Sequence, residues 1–206
     1  MDGTTFAERL RDDMETELSR LGSSKWLYAL TDGEMVGPAV RAAADDSAET
    51  TARLFADWAE SEDDADAAAL FEDAAADSED HRDAIDSDEG LPDAHRPTYE
   101  VLSGQDDTVS RVAGLLGQSL VESQTVSQMV GFFVGDADPS SAETFRSIRA
   151  DVDDHYDRAV ALLDDVCETD DDWDRAETIA RTVVEAAYDH YVETLESMGV
   201  EPKNVC

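Results

Sequence analysis

The apolar residues of this chain recur every three or four positions, and the strict alternation typical of strands is absent. This pattern predicts an all-helical fold. The first predicted helix covers about residues 5–21 and is ended by Gly22. A shorter helix around Trp26 follows, and Gly37 and Pro38 separate it from the next element.

Five longer helices are predicted in the rest of the chain. The first and third of them cover about 39–60 and 107–134. The second bears His81 and ends before Gly90, the fourth bears His155 and ends near Cys167, and the last ends at Gly199. Residues 86–97 are predicted to form a long loop. Asp138 is expected to cap the His155 helix, because Pro139 suits the first helical position. Alanine-rich stripes predict close helix packing rather than a large open cavity.

Two of these helices carry an internal duplication. The segments "FEDAAADSEDHRDAI" and "FRSIRADVDDHYDRAV" begin at Phe71 and Phe145, and they align without a gap. Their shared positions include His81 and His155. Two helix pairs related in this way predict a four-helix bundle with additional helices at both ends. The expected single domain has an N-terminal extension over 1–38, the bundle over 39–168 and a C-terminal helix within 169–206.

The stretch "RLFADWAESEDDADAAALFEDAAADSEDHRDAI" resembles the helix pair of rubrerythrins and other ferritin-like proteins. The shared features are an aromatic-Ala pair, a short acidic turn, a Phe and a histidine at the spacing of that family's Glu-x-x-His motif. "FRSIRADVDDHYDRAVALL" resembles the second such pair. The resemblance covers about residues 39–166 and implies a ferritin-like four-helix bundle, which in that family encloses two irons. The Cys-x-x-Cys pairs of the small iron domain of rubrerythrins are absent from this sequence.

The chain departs from the family at the metal ligands. The residues three positions before His81 and His155 are Ser78 and Val152, so neither copy has the family's glutamate. The remaining ligand positions implied by the resemblance fall near Asp45 on the first bundle helix, and near Gln118, Val121 and Glu122 on the third. The resemblance therefore implies a di-iron site that is largely lost.

A substitute metal site is a second interpretation of the same residues. Asp77 and Asp151 each stand four positions before a duplicated histidine, which places acid and histidine on one helix face. The predicted metal ligands are Asp77, His81, Asp151 and His155, completed by Asp45 or Glu122. Carboxylate and imidazole suit iron, manganese or zinc, with iron or manganese as the expected metal. The competing interpretation is a set of Asp–His pairs on a solvated or half-buried face, and no catalytic residue is assigned.

The charge of the chain limits its environment and partners. With 51 acidic and 15 basic residues, the formal net charge is −36. Such a chain repels itself in dilute salt, whereas molar salt shortens the Debye length to about 3 Å. We therefore expect a cytoplasmic protein of a salt-accumulating organism. Nucleic acid is not an expected partner because no basic cluster is present. No membrane segment is expected, because the apolar run "MVGFFVG" is too short to span a bilayer.

Three functions are compatible with the sequence. The first is a rubrerythrin-related helical scaffold or partner-binding protein, expected to form a dimer and to lack enzymatic activity. The second is an iron- or manganese-dependent oxidoreductase or metal-binding protein that uses His81 and His155. The third is a small-molecule-binding bundle of the thiaminase and heme-oxygenase-like kind, whose pocket residues would include Trp26, Tyr28, Glu185 and Tyr188.

Overall fold

The computed structural model describes residues 1–87 and 97–202, and every regular element in these ranges is an α-helix. The prediction of an all-α fold is confirmed. The helices are α1 (Gly3–Asp13), α2 (Glu15–Leu21), α3 (Ser24–Leu30), α4 (Gly37–Ser61), α5 (Ala65–Ile85), α6 (Pro97–Ser103), α7 (Thr108–Gly135), α8 (Pro139–Val166) and α9 (Asp170–Ser197). Across the described ranges, no helix is long and apolar enough to cross a membrane.

Four long helices form two hairpins, α4 with α5 and α7 with α8. The phenylalanine that begins each duplicated segment stacks on an aromatic ring of the preceding helix. Phe71 lies 6.3 Å from Phe55, measured between ring centroids, and Phe145 lies 5.3 Å from Phe133. The duplication therefore repeats a packing contact as well as a sequence.

The two hairpins meet mainly along α5 and α8. Arg158 of α8 donates to Asp73 of α5 at 2.8 Å, and further along α5 His81 contacts Asp151 at 3.0 Å. Since positions rise along α5 while they fall along α8, the two helices are antiparallel. The order around the bundle is α4, α5, α8, α7, and α4 and α7 make few direct contacts.

The remaining helices surround this arrangement. Helix α9 lies along α7, α1 packs on α8, and α2 packs on α9 and α7. The backbone N–H of Gly3, at the start of α1, donates to the Asp164 carboxylate of α8 at 2.6 Å. At the end of α4, the buried Glu62 carboxylate accepts from Arg111 at 3.0 Å and from Thr108 at 2.6 Å, which ties the α4–α5 turn to α7.

Several predicted helix ends are confirmed. Asp138 caps α8, where its carboxylate accepts the Ser141 backbone N–H at 3.1 Å, and Pro139 lies in the first turn. The hydrogen bonds from Ser141 hold the pKa of Asp138 below its usual value. Thr169 and Asp172 form a capping box at the start of α9, which the sequence analysis did not identify.

The structure corrects three other boundaries. The single helix predicted over 5–21 is two helices, because Met14 leaves the helical conformation at φ −104° and ψ 16°. Met14 stays buried, so the apolar stripe continues across the break and hides it. Gly37 and Pro38 begin α4 instead of interrupting the chain, and α6 was not predicted. Most of the predicted loop at 86–97 lies outside the described residues.

Two glycines of α7 give a matched test of this packing. A Cβ atom at Gly117 would lie 2.8 Å from the Ala180 carbonyl oxygen, whereas a Cβ at Gly131 would meet nothing within 4 Å. We expect Gly117→Ala to lower the free energy of unfolding by about 1–3 kcal/mol, because α9 must move. Gly131→Ala should raise it by about 0.5–1 kcal/mol. Denaturant titration at fixed high salt measures both, and equal effects would contradict the close approach of α7 and α9.

Candidate functional site

The duplicated histidines form reciprocal contacts between α5 and α8. His81 Nε2 lies 3.0 Å from Asp151 Oδ2, and His155 Nε2 lies 2.8 Å from Asp77 Oδ2. Each histidine therefore contacts the aspartate of the other copy and not the one four positions before it. Both histidine side chains are buried, with exposed fractions of 9% and 8%, while both aspartate side chains are about two-fifths exposed.

The chemistry of these contacts fixes one proton on each ring. An ionised carboxylate only accepts hydrogen bonds, so the Nε2 atom that faces it carries the hydrogen and donates. The Nε2 atom therefore has no lone pair to give to a metal, whereas the Nδ1 atom of each ring keeps one. The geometry thus agrees with the interpretation of half-buried Asp–His pairs, but the pairs join two helices instead of lying on one.

The positions that hold glutamates in the resembled family contribute no ligand here. Ser78 is buried and its hydroxyl donates to the Ala74 carbonyl at 2.8 Å within α5. Val152 is a buried apolar residue of α8. Both positions face the interior, as the resemblance implies, but neither side chain brings a negative charge there.

The last two predicted ligands lie in different places. Asp45 on α4 accepts a hydrogen bond from Arg82 at 3.1 Å, whereas Glu122 on α7 lines a cavity. In the described part of the chain, no group of three or more His, Cys, Asp or Glu side chains is placed to hold a metal ion. Two cross-helix pairs, an arginine contact and a cavity wall thus account for the six predicted ligands, and His81 lines the same cavity as Glu122. Metal binding by them stays a prediction.

The cavity lies where α4 and α7 diverge, and its volume is ≈ 80 Å³. Residues of α3, α5, α6, α8 and α9 complete its wall. Most of the wall is apolar, with Ala44, Val126, Met129 and Phe145 among its members. Its polar side chains are those of Ser47, His81, Thr98, Gln118, Glu122, Thr125 and His190. Small side chains of α4, Ala43, Ala44 and Ala48, line this space.

One polar atom near this cavity is unsatisfied. Gln118 Oε1 is buried and has no hydrogen-bond partner. The Gln118 side chain lines both this cavity and a smaller one of about 20 Å³ beside Thr98 and Leu102. In the sequence, Gln118 is only a departure from the resembled family, and its position beside a cavity could not be read from composition in a chain so rich in polar residues.

Of the pocket residues expected under the third function, Trp26 lines this cavity. Its indole N–H donates to Thr125 at 2.8 Å, and its ring meets the His190 ring edge-on at 6.1 Å. Tyr28, Glu185 and Tyr188 do not line it; Glu185 is exposed on α9. The contribution of α9 to the cavity is made by Ala187 and His190 instead of Glu185 and Tyr188.

The Cys167 thiol is poorly suited to chemistry. It lies buried at the end of α8, and burial, with Asp172 nearby, raises its pKa to about 11. A protonated thiol is a weak nucleophile, so Cys167 behaves as a packing residue.

Comparison of this chain with protein-family models, curated proteins and solved structures found no match. The geometry of the histidine pairs and of the cavity therefore carries the functional interpretation.

Double-mutant cycles can distinguish cross-helix from same-helix pairing. We expect a coupling free energy of about 0.5–1 kcal/mol between His81→Ala and Asp151→Ala, and a similar value between His155→Ala and Asp77→Ala, because the carboxylates are partly exposed. The matched control is the same-helix cycle of His81→Ala with Asp77→Ala, for which coupling should stay within the error of additivity. A larger coupling in the same-helix cycle would contradict the pairing.

Proposed function

We propose that this chain is a rubrerythrin-related ferritin-like protein whose di-iron centre has been lost, and that it works as a helical binding scaffold instead of a metal oxidoreductase. The observation that carries the proposal is the reciprocal pairing of His81 with Asp151 and of His155 with Asp77. The two histidines at the family's ligand positions use their Nε2 atoms for contacts between α5 and α8.

The order and direction of the long helices support the ferritin-like part of the proposal. Around the bundle they follow the order α4, α5, α8, α7, and each is antiparallel to the next. Helices α5 and α7 consequently run in the same direction, so the chain between them returns along the bundle, and α6 lies on that return. One long crossover between two hairpins is the connectivity expected of ferritin-like bundles.

The donor set does not fit two irons. In ferritin-like di-iron proteins each of two helices supplies a glutamate and each of the other two supplies a Glu-x-x-His motif. Here the positions of the two motif glutamates hold Ser78 and Val152, and Asp45 is in contact with Arg82. Glu122 remains as a carboxylate on the cavity wall, without a second one among the cavity's lining residues. We therefore assign no metal-dependent step to this protein.

Metal content tests the proposal. Wild type, His81→Ala and His155→Ala are loaded in high salt with Fe²⁺, Mn²⁺ or Zn²⁺, and weakly bound surface ions are removed with a chelator. Elemental analysis should find far less than one metal ion per chain in all three proteins, because in the described part of the chain no three His, Cys, Asp or Glu side chains are placed to hold one ion together. One or two tightly bound ions in the wild type, absent from both variants, would establish the oxidoreductase alternative.

A further inference from the structure

We propose that the His81–Asp151 pair is a gate of the cavity between α4 and α7, through which small uncharged molecules pass between the cavity and an outer groove. The gate opens when the His81 ring leaves the Asp151 carboxylate and turns out of the wall. Uncharged molecules are specified because most of the cavity wall is apolar. The inference goes beyond the proposed function, because it concerns access to the cavity and holds whether or not the chain binds a metal.

The cavity and the groove share a wall. The groove has a volume of ≈ 730 Å³, and residues of α5 and α8 line it. Among the described residues, His81 of α5 and Ile148 of α8 line both the groove and the cavity. At these two positions the wall is therefore one residue thick, and side chains of two neighbouring helices close it.

One hydrogen bond holds the His81 ring in this wall. Its Nε2 atom lies 3.0 Å from Asp151 Oδ2. Asp151 lines the groove but not the cavity, so the bond fixes the ring from the groove side. The net contribution of such a bond is modest, and thermal motion breaks it repeatedly. Two other residues that line the groove, Ala84 and Ser147, have small side chains. Rotation of the ring toward the groove thus opens the wall without moving either helix.

The duplicated pair provides a comparison within the same molecule. His155 Nε2 makes the equivalent contact with Asp77 at 2.8 Å, and the His155 side chain is 8% exposed against 9% for His81. His155, however, lines neither the cavity nor the groove. Loss of either pair removes one contact between α5 and α8, but only loss of the His81 pair opens the cavity wall. A gate can therefore be distinguished from a general loosening of the bundle.

Quenching of Trp26 fluorescence by acrylamide, a small uncharged molecule, measures passage through the gate. Trp26 lines the cavity and is 4% exposed, and Trp58→Phe with Trp173→Phe leaves it as the only tryptophan of the chain. In high salt we expect Asp151→Ala to raise the bimolecular quenching constant about two- to tenfold, the effect of one lost hydrogen bond on an opening equilibrium. His81→Ala, which removes the ring itself, should raise it at least as much.

The matched controls are Asp77→Ala and His155→Ala, which should leave the quenching constant unchanged. Equal increases in the variants of both pairs would indicate general loosening and overturn the proposal. An unchanged constant in Asp151→Ala and His81→Ala would overturn it as well. If His81→Ala does not fold, Asp151→Ala carries the test, because the Asp151 side chain is two-fifths exposed and its loss disturbs no buried packing.

A second measurement needs no tryptophan substitution. Hydrogen exchange of the Trp26 indole N–H, which donates to Thr125 at 2.8 Å, is followed by NMR in the ¹⁵N-labelled chain with all three tryptophans. If the background with one tryptophan does not fold, this exchange rate replaces the quenching constant. It should rise in Asp151→Ala by the same factor and stay at the wild-type value in Asp77→Ala, and equal rates in the two variants would contradict the gate.

Discussion

The antiparallel contact between α5 and α8 is the constraint on which the rest of the bundle depends. It joins the two hairpins, and its centre is formed by two buried imidazole rings, each donating to a carboxylate of the opposite helix. Because the rings are buried, salt screens these contacts less than it screens the surrounding surface charges. The carboxylate of each pair is about two-fifths exposed, so this protection from screening is partial.

The same contact explains where the cavity lies. The hairpins meet through α5 and α8, so α4 and α7 are the helices of each hairpin that do not form this contact. On α4, small side chains such as Ala44 and Ala48 line the space toward α7. The gap that remains is closed by residues of α3, α6 and α9 rather than by direct α4–α7 packing. Gln118 and Glu122 of α7 line the small cavity that this gap leaves.

The sequence predicted those features that depend on position along one helix. Periodicity located the long helices, Asp138 and Pro139 identified a helix start, and the duplication paired Phe71 with Phe145. It did not reveal the partner of each histidine. The sequence does not show whether a histidine contacts the acid four positions before it or an acid on a facing helix, because the contact depends on the rotation and the relative shift of both helices. The break at Met14 was also hidden, because a buried stripe continues across it. The cavity depends on how far apart two helices stand, which no single-helix pattern encodes.

The most direct measurement of this account is the NMR spectrum of the imidazole ring nitrogens in the wild type, Asp151→Asn and Asp77→Asn. The account predicts that Asp151→Asn shifts the ring signals of His81 and leaves those of His155 unchanged, and that Asp77→Asn does the reverse. If each substitution instead altered the histidine four positions later in its own helix, the cross-helix pairing, and with it the proposed loss of the metal centre, would be contradicted.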